Sequence, residues 1–184
     1  VDDVIFGCVS QVGAQAGNLA RNVALASRLD VSVPGVTVDR QCGSSLQAIH
    51  FGAQAVMSGT QDLVICGGVE SMSLVPIGSN INDTLDKGRG VPRGERIDEL
   101  YPGIEFSQFN GAELLAQKYH ISRKELDKFG VLSHQRAAAA TRDGHFRREV
   151  VPVEVTLPDG SIDTHVLDEG IRYDASLESM QGSI

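Results

Sequence analysis

Tryptophan is absent from these 184 residues, and aromatic residues make up only 5% of them. A core built on large rings is thereby excluded, so packing must rest on aliphatic and small side chains. Basic residues are the minority, 16 Lys and Arg against 24 Asp and Glu, for a net charge of −8. That balance excludes a nucleic-acid surface or an anionic membrane as the main partner. No apolar run reaches the length that spans a bilayer. No N-terminal secretory signal is visible either, so a cytoplasmic location is expected. Cysteine is scarce: Cys8, Cys42 and Cys66. An odd count without Cys-x-x-Cys spacing argues for a reducing compartment, against a disulfide framework, and against a zinc site, so no metal is expected.

The residues that are present fall into regular patterns. Val4-Ile5-Phe6 reads as a short strand. Leu19, Val23 and Ala26 recur at helical spacing and predict a helix ending near Leu29. Val36-Thr37-Val38 is a strand candidate after the turn signal Pro34-Gly35. Leu46, Ile49, Ala53 and Val56 then predict a helix, with Ser44 or Ser45 as cap and Gly59 as stop. Leu63-Val64-Ile65-Cys66 is a continuous apolar run of the kind buried on both faces. Strand, turn, helix and strand together predict a right-handed βαβ unit with parallel strands. Beyond Met72 the character changes, and residues 76–111, rich in Gly, Pro and charge, are expected to be irregular. Ser122-Arg123-Lys124-Glu125 is a capping box opening a helix that ends near Gly144. Val150 to Leu157 and Ser161 to Leu167 flank Pro158-Asp159-Gly160, a hairpin signal.

Cys8 and Cys66 sit in apolar, strand-like contexts and read as small core residues. Cys42 does not: small or polar residues flank it on both sides, between a β-type run and a helix. In parallel sheets ligands bind at the carboxyl ends of strands, and Cys42 lies at one. Unpaired amides at a helix start favour an anion, and the thiolate is the nucleophilic form of cysteine. Cys42 is therefore a candidate for covalent acyl transfer. A helix end supplies only about 0.3–1 kcal/mol, so a second group must activate the thiol. His50, His120, His134, His145 and His165 offer no motif for that task, and His50 lies more than two helical turns beyond the cysteine. Two basic clusters, Lys87, Arg89, Arg93 and Arg96, and then Arg147 and Arg148, could meet a phosphate-bearing ligand or be solvated loop charges.

Asp39-Arg40-Gln41-Cys42-Gly43-Ser44-Ser45-Leu46-Gln47-Ala48-Ile49 resembles the nucleophile motif of the thiolases, the acyl-CoA acetyltransferases. Gly67-Gly68-Val69-Glu70-Ser71-Met72-Ser73 is similar to the strand end before the family's cover loop. Ile121 to Ala140, with Ser133-His134-Gln135-Arg136-Ala137, resembles its loop-domain helix. Asp168 to Arg172 and Leu177 to Met180 resemble a late loop-domain segment. Gly13, Gln15, Gly17, Asn18, Ala20 and Arg21 partly match a stretch near the family's dimer interface.

The resemblance implies an α/β fold, the first half of a layered αβαβα sandwich with an inserted loop domain. Residues 1–72 would be part of the N-terminal core domain carrying the nucleophile. Residues 73–184 would be the loop domain (cover loop, helices, hairpin), incomplete at its C-terminal end. Cys42 would attack an acyl-CoA thioester and carry the acyl group, making or cleaving 3-oxoacyl-CoA. Coenzyme A and acetyl-CoA would be substrates, with no permanently bound cofactor, in fatty acid and lipid metabolism. A homodimer or homotetramer is expected. The family's Asn-Glu-Ala-Phe, Gly-His-Pro and Cys-x-Gly segments do not occur here, and the chain opens on Val1 without an initiator Met. The expectation is a part of a longer enzyme, inactive alone. The stretch Gln108 to Glu113 departs from the family's usual residues, which leaves acyl-chain length open, and the tail Met180 to Ile184 is short beside theirs. Two other readings compete. A β-ketoacyl synthase also places a Cys between strand and helix, and a non-catalytic acyl-CoA- or lipid-binding relative would keep the fold.

Overall fold

The computed structural model describes residues 1–85 and 87–181, grouped in two compact units, Val1–Pro102 and Gly103–Ile184. The first is built on three short strands. They are β1 (Asp3–Gly7), β2 (Gly35–Val38) and β3 (Val64–Gly68), all parallel, in the order β2-β1-β3. Helix α1 (Leu19–Ala26) joins β1 to β2, and α2 (Ser44–Met57) joins β2 to β3. The register aligns Gly7 with Val38 on one side and with Gly68 on the other, so the three carboxyl ends lie at one level.

Strand alternation decides which helix covers which face. Val4 and Phe6 point to one side of β1, where they pack with Ala20 and Ala24 of α1 and with Leu29 and Val33. Gly7 belongs to the other face, where a methyl in place of its hydrogen would strike the Ser44–Ser45 peptide of α2. Gly52 of α2 likewise abuts the Cys66 sulfur. The two helices therefore cover opposite faces. The first crossover steps from β1 to its neighbour on one side, and the second carries the chain past β1 to the other side. Strand order reverses at that point, which opens a crevice at the carboxyl ends of β1 and β3.

Several expectations change on meeting the structure. The βαβ unit is present, but β1 lies between its two strands. Helix α1 ends at Ala26 rather than Leu29 because Ser27 turns the chain, its Oγ donating to the Ala24 carbonyl at 2.7 Å. In α2 the bulky stripe does not face the sheet: Leu46 is 57% and Ile49 51% exposed. The buried residues are Ser44, Gln47, Ala48 and Gly52, because only a small-residue face permits so close an approach to the strands. Strand β3 is half-buried rather than covered on both faces, since it forms an edge of this sheet. Residues 76–111 are not irregular throughout. They contain α3 (Ser79–Leu85) and α4 (Glu95–Leu100), helices of under two turns that leave no readable period. The same stretch also holds the start of a third helix, α5, at Gln108.

The second unit holds α5 (Gln108–Lys118), α6 (Arg123–Arg142), the antiparallel pair β4 (Val153–Thr156) and β5 (Ile162–His165), and α7 (Leu177–Gln181). The capping box at Ser122 forms both of its bonds: Glu125 N–H donates to the Ser122 hydroxyl, and the Glu125 carboxylate accepts from the Ser122 amide. The hairpin turn is held by Asp159, whose Oδ1 accepts from the Ser161 amide and hydroxyl. The short tail beyond Gln181 lies outside the described residues.

Candidate active site

The turn from β2 into α2 is fixed by its own side chains. Asp39 Oδ1 accepts from the Gln41 amide at 2.7 Å. Ser44 Oγ accepts from the Arg40 amide at 2.9 Å and donates to the Gln41 carbonyl at 2.6 Å. These bonds hold Gln41 at φ 49°, a left-handed conformation that costs a non-glycine residue about 1–2 kcal/mol. The next residue is Cys42, which is exposed. Gly43 starts the helix without any side-chain cap, although the Gln41 carbonyl accepts from the Ser44 amide at 3.0 Å, so no protein side chain competes for the positive end of α2.

Cys42 opens onto a cavity of about 350 Å³ at the strand-order reversal. Its walls come from the exit of β1 (Gly7 to Ser10), the turn and first residues of α2, and the exit of β3 (Gly68 to Glu70), with Met72 and Ile77 adding apolar surface. Gly7 and Gly68 let the helix start sit this close. A Cβ at Gly68 would lie 2.6 Å from the Gly7 carbonyl oxygen and closer still to the Ser45 hydroxyl. Larger side chains at either position would push the Cys42 turn away from the strands.

Glu70 ties the two strand exits together. Its carboxylate accepts from the amides of Val9 (2.8 Å) and Ser10 (3.1 Å) and from Gln15 Nε2 (3.0 Å). Gln15, only 4% exposed, also donates to the Ser10 carbonyl and accepts from the Ser71 amide at 2.6 Å. Burial pushes the Glu70 carboxyl up, but these hydrogen bonds together hold it below the ordinary carboxylate range. Burial first, and then the Glu70 charge and hydrogen bond, push the Cys8 thiol up. Burial also pushes Cys66 up.

The structure thus sorts the sequence candidates. Cys8 is buried as expected, yet it lines the same cavity as Cys42, while Cys66 lies against Gly52. None of the five histidines lines this cavity. His50 is exposed on α2, and His134 Nδ1 accepts from the Arg172 amide at 3.2 Å. In the first basic cluster, Arg96 pairs with Glu99 at 2.8 Å and Arg93 donates to the Tyr101 carbonyl. Arg147 and Arg148 are exposed. Among the described residues no group of three or more His, Cys, Asp or Glu could hold a metal ion, and no helix is long and apolar enough to cross a membrane. A cavity of about 470 Å³ between α5 and α6 is larger but holds no cysteine, and its Arg123 is paired with Asp127. Sequence reasoning did not single out Gln15 or Glu70 for a role in the site. A carboxylate directly at a strand end, in Gly-Gly-Val-Glu, was the available signal.

Residues 1–183 match the family model of the thiolase N-terminal domain. A steroid 3-ketoacyl-CoA thiolase of Mycobacterium tuberculosis is 49% identical over 184 residues, covering 99% of this chain and 44% of that protein. A 3-ketoacyl-CoA thiolase of Yersinia enterocolitica is 39% identical over 180 residues, 98% of this chain and 44% of that protein. Among solved structures, the Bacillus anthracis acetyl-CoA acetyltransferase superposes with a TM-score of 0.77 at 31% identity, covering 99% of this chain and 46% of that one. The chain therefore spans less than half the length of these relatives.

Proposed function

The chain belongs to the thiolase family, through its N-terminal domain, and has the α/β fold of that half; from that premise we propose that it is the nucleophile-bearing part of an acyl-CoA C-acyltransferase. The observation that carries this is the position of Cys42, exposed at an uncapped helix start and opening onto a cavity at the strand-order reversal. In the cleavage direction the Cys42 sulfur attacks the 3-oxo carbon of a 3-oxoacyl-CoA. The bond between the 2 and 3 carbons breaks, and its electron pair leaves on acetyl-CoA as the enolate, which takes up a proton. The shortened acyl group stays on Cys42 as a thioester until the thiolate of a second coenzyme A takes it. Condensation runs the same steps backwards. A thioester on sulfur keeps the leaving-group energy of the substrate, so neither direction is closed off.

A thiol is a weak nucleophile until a base removes its proton. No histidine lines this cavity, and by the family resemblance the proton-moving His and second Cys belong to the other half of the enzyme. In this proposal residues 1–72 serve as the core that holds the nucleophile and residues 73–184 as the loop domain. Val69, Met72 and Ile77 give the cavity an apolar side suited to an acyl chain. The names of the relatives support a 3-ketoacyl-CoA as the substrate class. The proposal includes a cytoplasmic homodimer or homotetramer, which light scattering and cell fractionation test.

The test uses the intact protein that carries this chain. Iodoacetamide should modify Cys42, and prior incubation with acyl-CoA should protect it. Cys42→Ala should remove turnover while leaving the thermal transition in place. Turnover in that variant at the parental rate would reject the proposal.

A further inference from the structure

Two thiols line the cavity, Cys8 and Cys42, whereas acyl transfer through one of them suffices. Resting on the reading of Cys42 above, we propose that Glu70 is the positioning residue that leaves this cavity a single nucleophile. Its carboxylate pins the β1 exit, the segment that carries Cys8, and sets a negative charge beside that thiol.

The geometry for pinning is specific. Val9 and Ser10 directly follow Cys8, and both of their amides end on Glu70, one on each carboxylate oxygen. Gln15 closes the ring by donating to Glu70 and to the Ser10 carbonyl while accepting from Ser71, the residue after Glu70. One carboxylate thus sets the conformation of the segment that carries Cys8 and forms one wall of the Cys42 cavity. Burial raises the Cys8 thiol most, and the adjacent carboxylate adds to it by charge and by hydrogen bond. Cys66 is raised mainly by burial, with a lesser push from the Asp3 charge and none from Glu70, and it sits against Gly52 away from the cavity.

The carboxylate cannot be replaced by its amide without loss. Three donors converge on two acceptor oxygens, and a glutamine has one oxygen and one donor group. Whichever way that amide turns, at least one N–H faces another N–H. Aspartate keeps the charge but falls short by one bond, about 1.5 Å.

The experiment compares Glu70→Gln, Glu70→Asp and the parent in the intact enzyme, by steady-state kinetics and by site-resolved alkylation of each cysteine at pH 9. In Glu70→Gln, kcat should fall at least about tenfold with KM within about twofold, an effect on positioning rather than uniform binding. Its Cys8 should alkylate at least about threefold faster, because more of it is thiolate, with Cys66 unchanged. Glu70→Asp should lose kcat as well, while its Cys8 stays as slow as in the parent. Equal acceleration at Cys8 and Cys66 would mean general loosening and overturn the proposal, as would unchanged Cys8 reactivity and kcat in Glu70→Gln. Failure of the parent enzyme to label at Cys42 would reject the acyltransferase reading instead.

Discussion

Replacing Gly7 by alanine puts the close approach of α2 to the sheet under direct test. A Cβ there would lie 2.7 Å from the Ser44 carbonyl oxygen and nearer still to the Ser44–Ser45 peptide. The Ser44 carbonyl carbon and Ser45 nitrogen would lie at 2.3 Å and ordinary contact begins near 3.4 Å, so the helix start must retreat by about 1.1 Å. The obstacle is backbone on both sides, and no rotamer change relieves it. Overpacking of this kind costs about 1–3 kcal/mol of stability. The kinetic cost should be larger than the stability loss suggests, because Cys42 lies two residues before Ser44 and moves with it. A displacement of about 1 Å at a reacting group costs up to about 100-fold in rate. The assay is kcat/KM of the intact enzyme together with the alkylation rate of Cys42 and the thermal midpoint. Gly59→Ala is the control. Gly59 has φ 71° with open space around it, so alanine should cost about 1 kcal/mol of stability and leave Cys42 untouched. A Gly7→Ala enzyme with parental stability and parental Cys42 reactivity would refute the account of how the site is assembled.

Glu70 makes stability depend on acid. Its folded-state carboxyl is held below the ordinary value of 4.5, so its contribution is fully present above that pH and is lost as pH falls through the lowered value. The stability gap between the parent and Glu70→Gln should be flat from neutrality to about pH 5 and narrow below it; a gap that widens in acid contradicts the assignment. Ser44→Ala removes a buried hydroxyl that satisfies the Arg40 amide, and urea unfolding should show a loss of about 1–3 kcal/mol with a fall in Cys42 reactivity. Ser122→Ala removes the hydroxyl that accepts from the Glu125 amide but keeps the Ser122 amide that donates to the Glu125 carboxylate, and should cost about 0.5–2 kcal/mol of stability without changing that reactivity.

What the sequence made legible was local. The turn at Cys42, the capping box at Ser122 and the hairpin at Pro158-Asp159-Gly160 each depend on residues within a few positions of one another. What it hid was set by distant partners. The apolar stripe of α2 suggested the buried face, yet Gly7 and Gly68 had already reserved that place for small residues. The position of β1 between β2 and β3 is a matter of pairing, which no period in the chain records. Glu70 meets Val9 across 61 residues and Gln15 across 55, so neither carries a sign of the other in its surroundings. Short helices such as α4 vanish in a Gly- and charge-rich stretch because six residues do not complete two turns.

The central claim is that the Cys42 sulfur carries the acyl group. Mixing the intact enzyme with acyl-CoA, quenching in acid within one turnover and mapping the peptides by mass spectrometry tests it without any mutation. The account predicts an acyl thioester on Cys42 that disappears when coenzyme A is added before the quench. Product formed at the normal rate with Cys42 unmodified, or with the acyl group on Cys8, would contradict it.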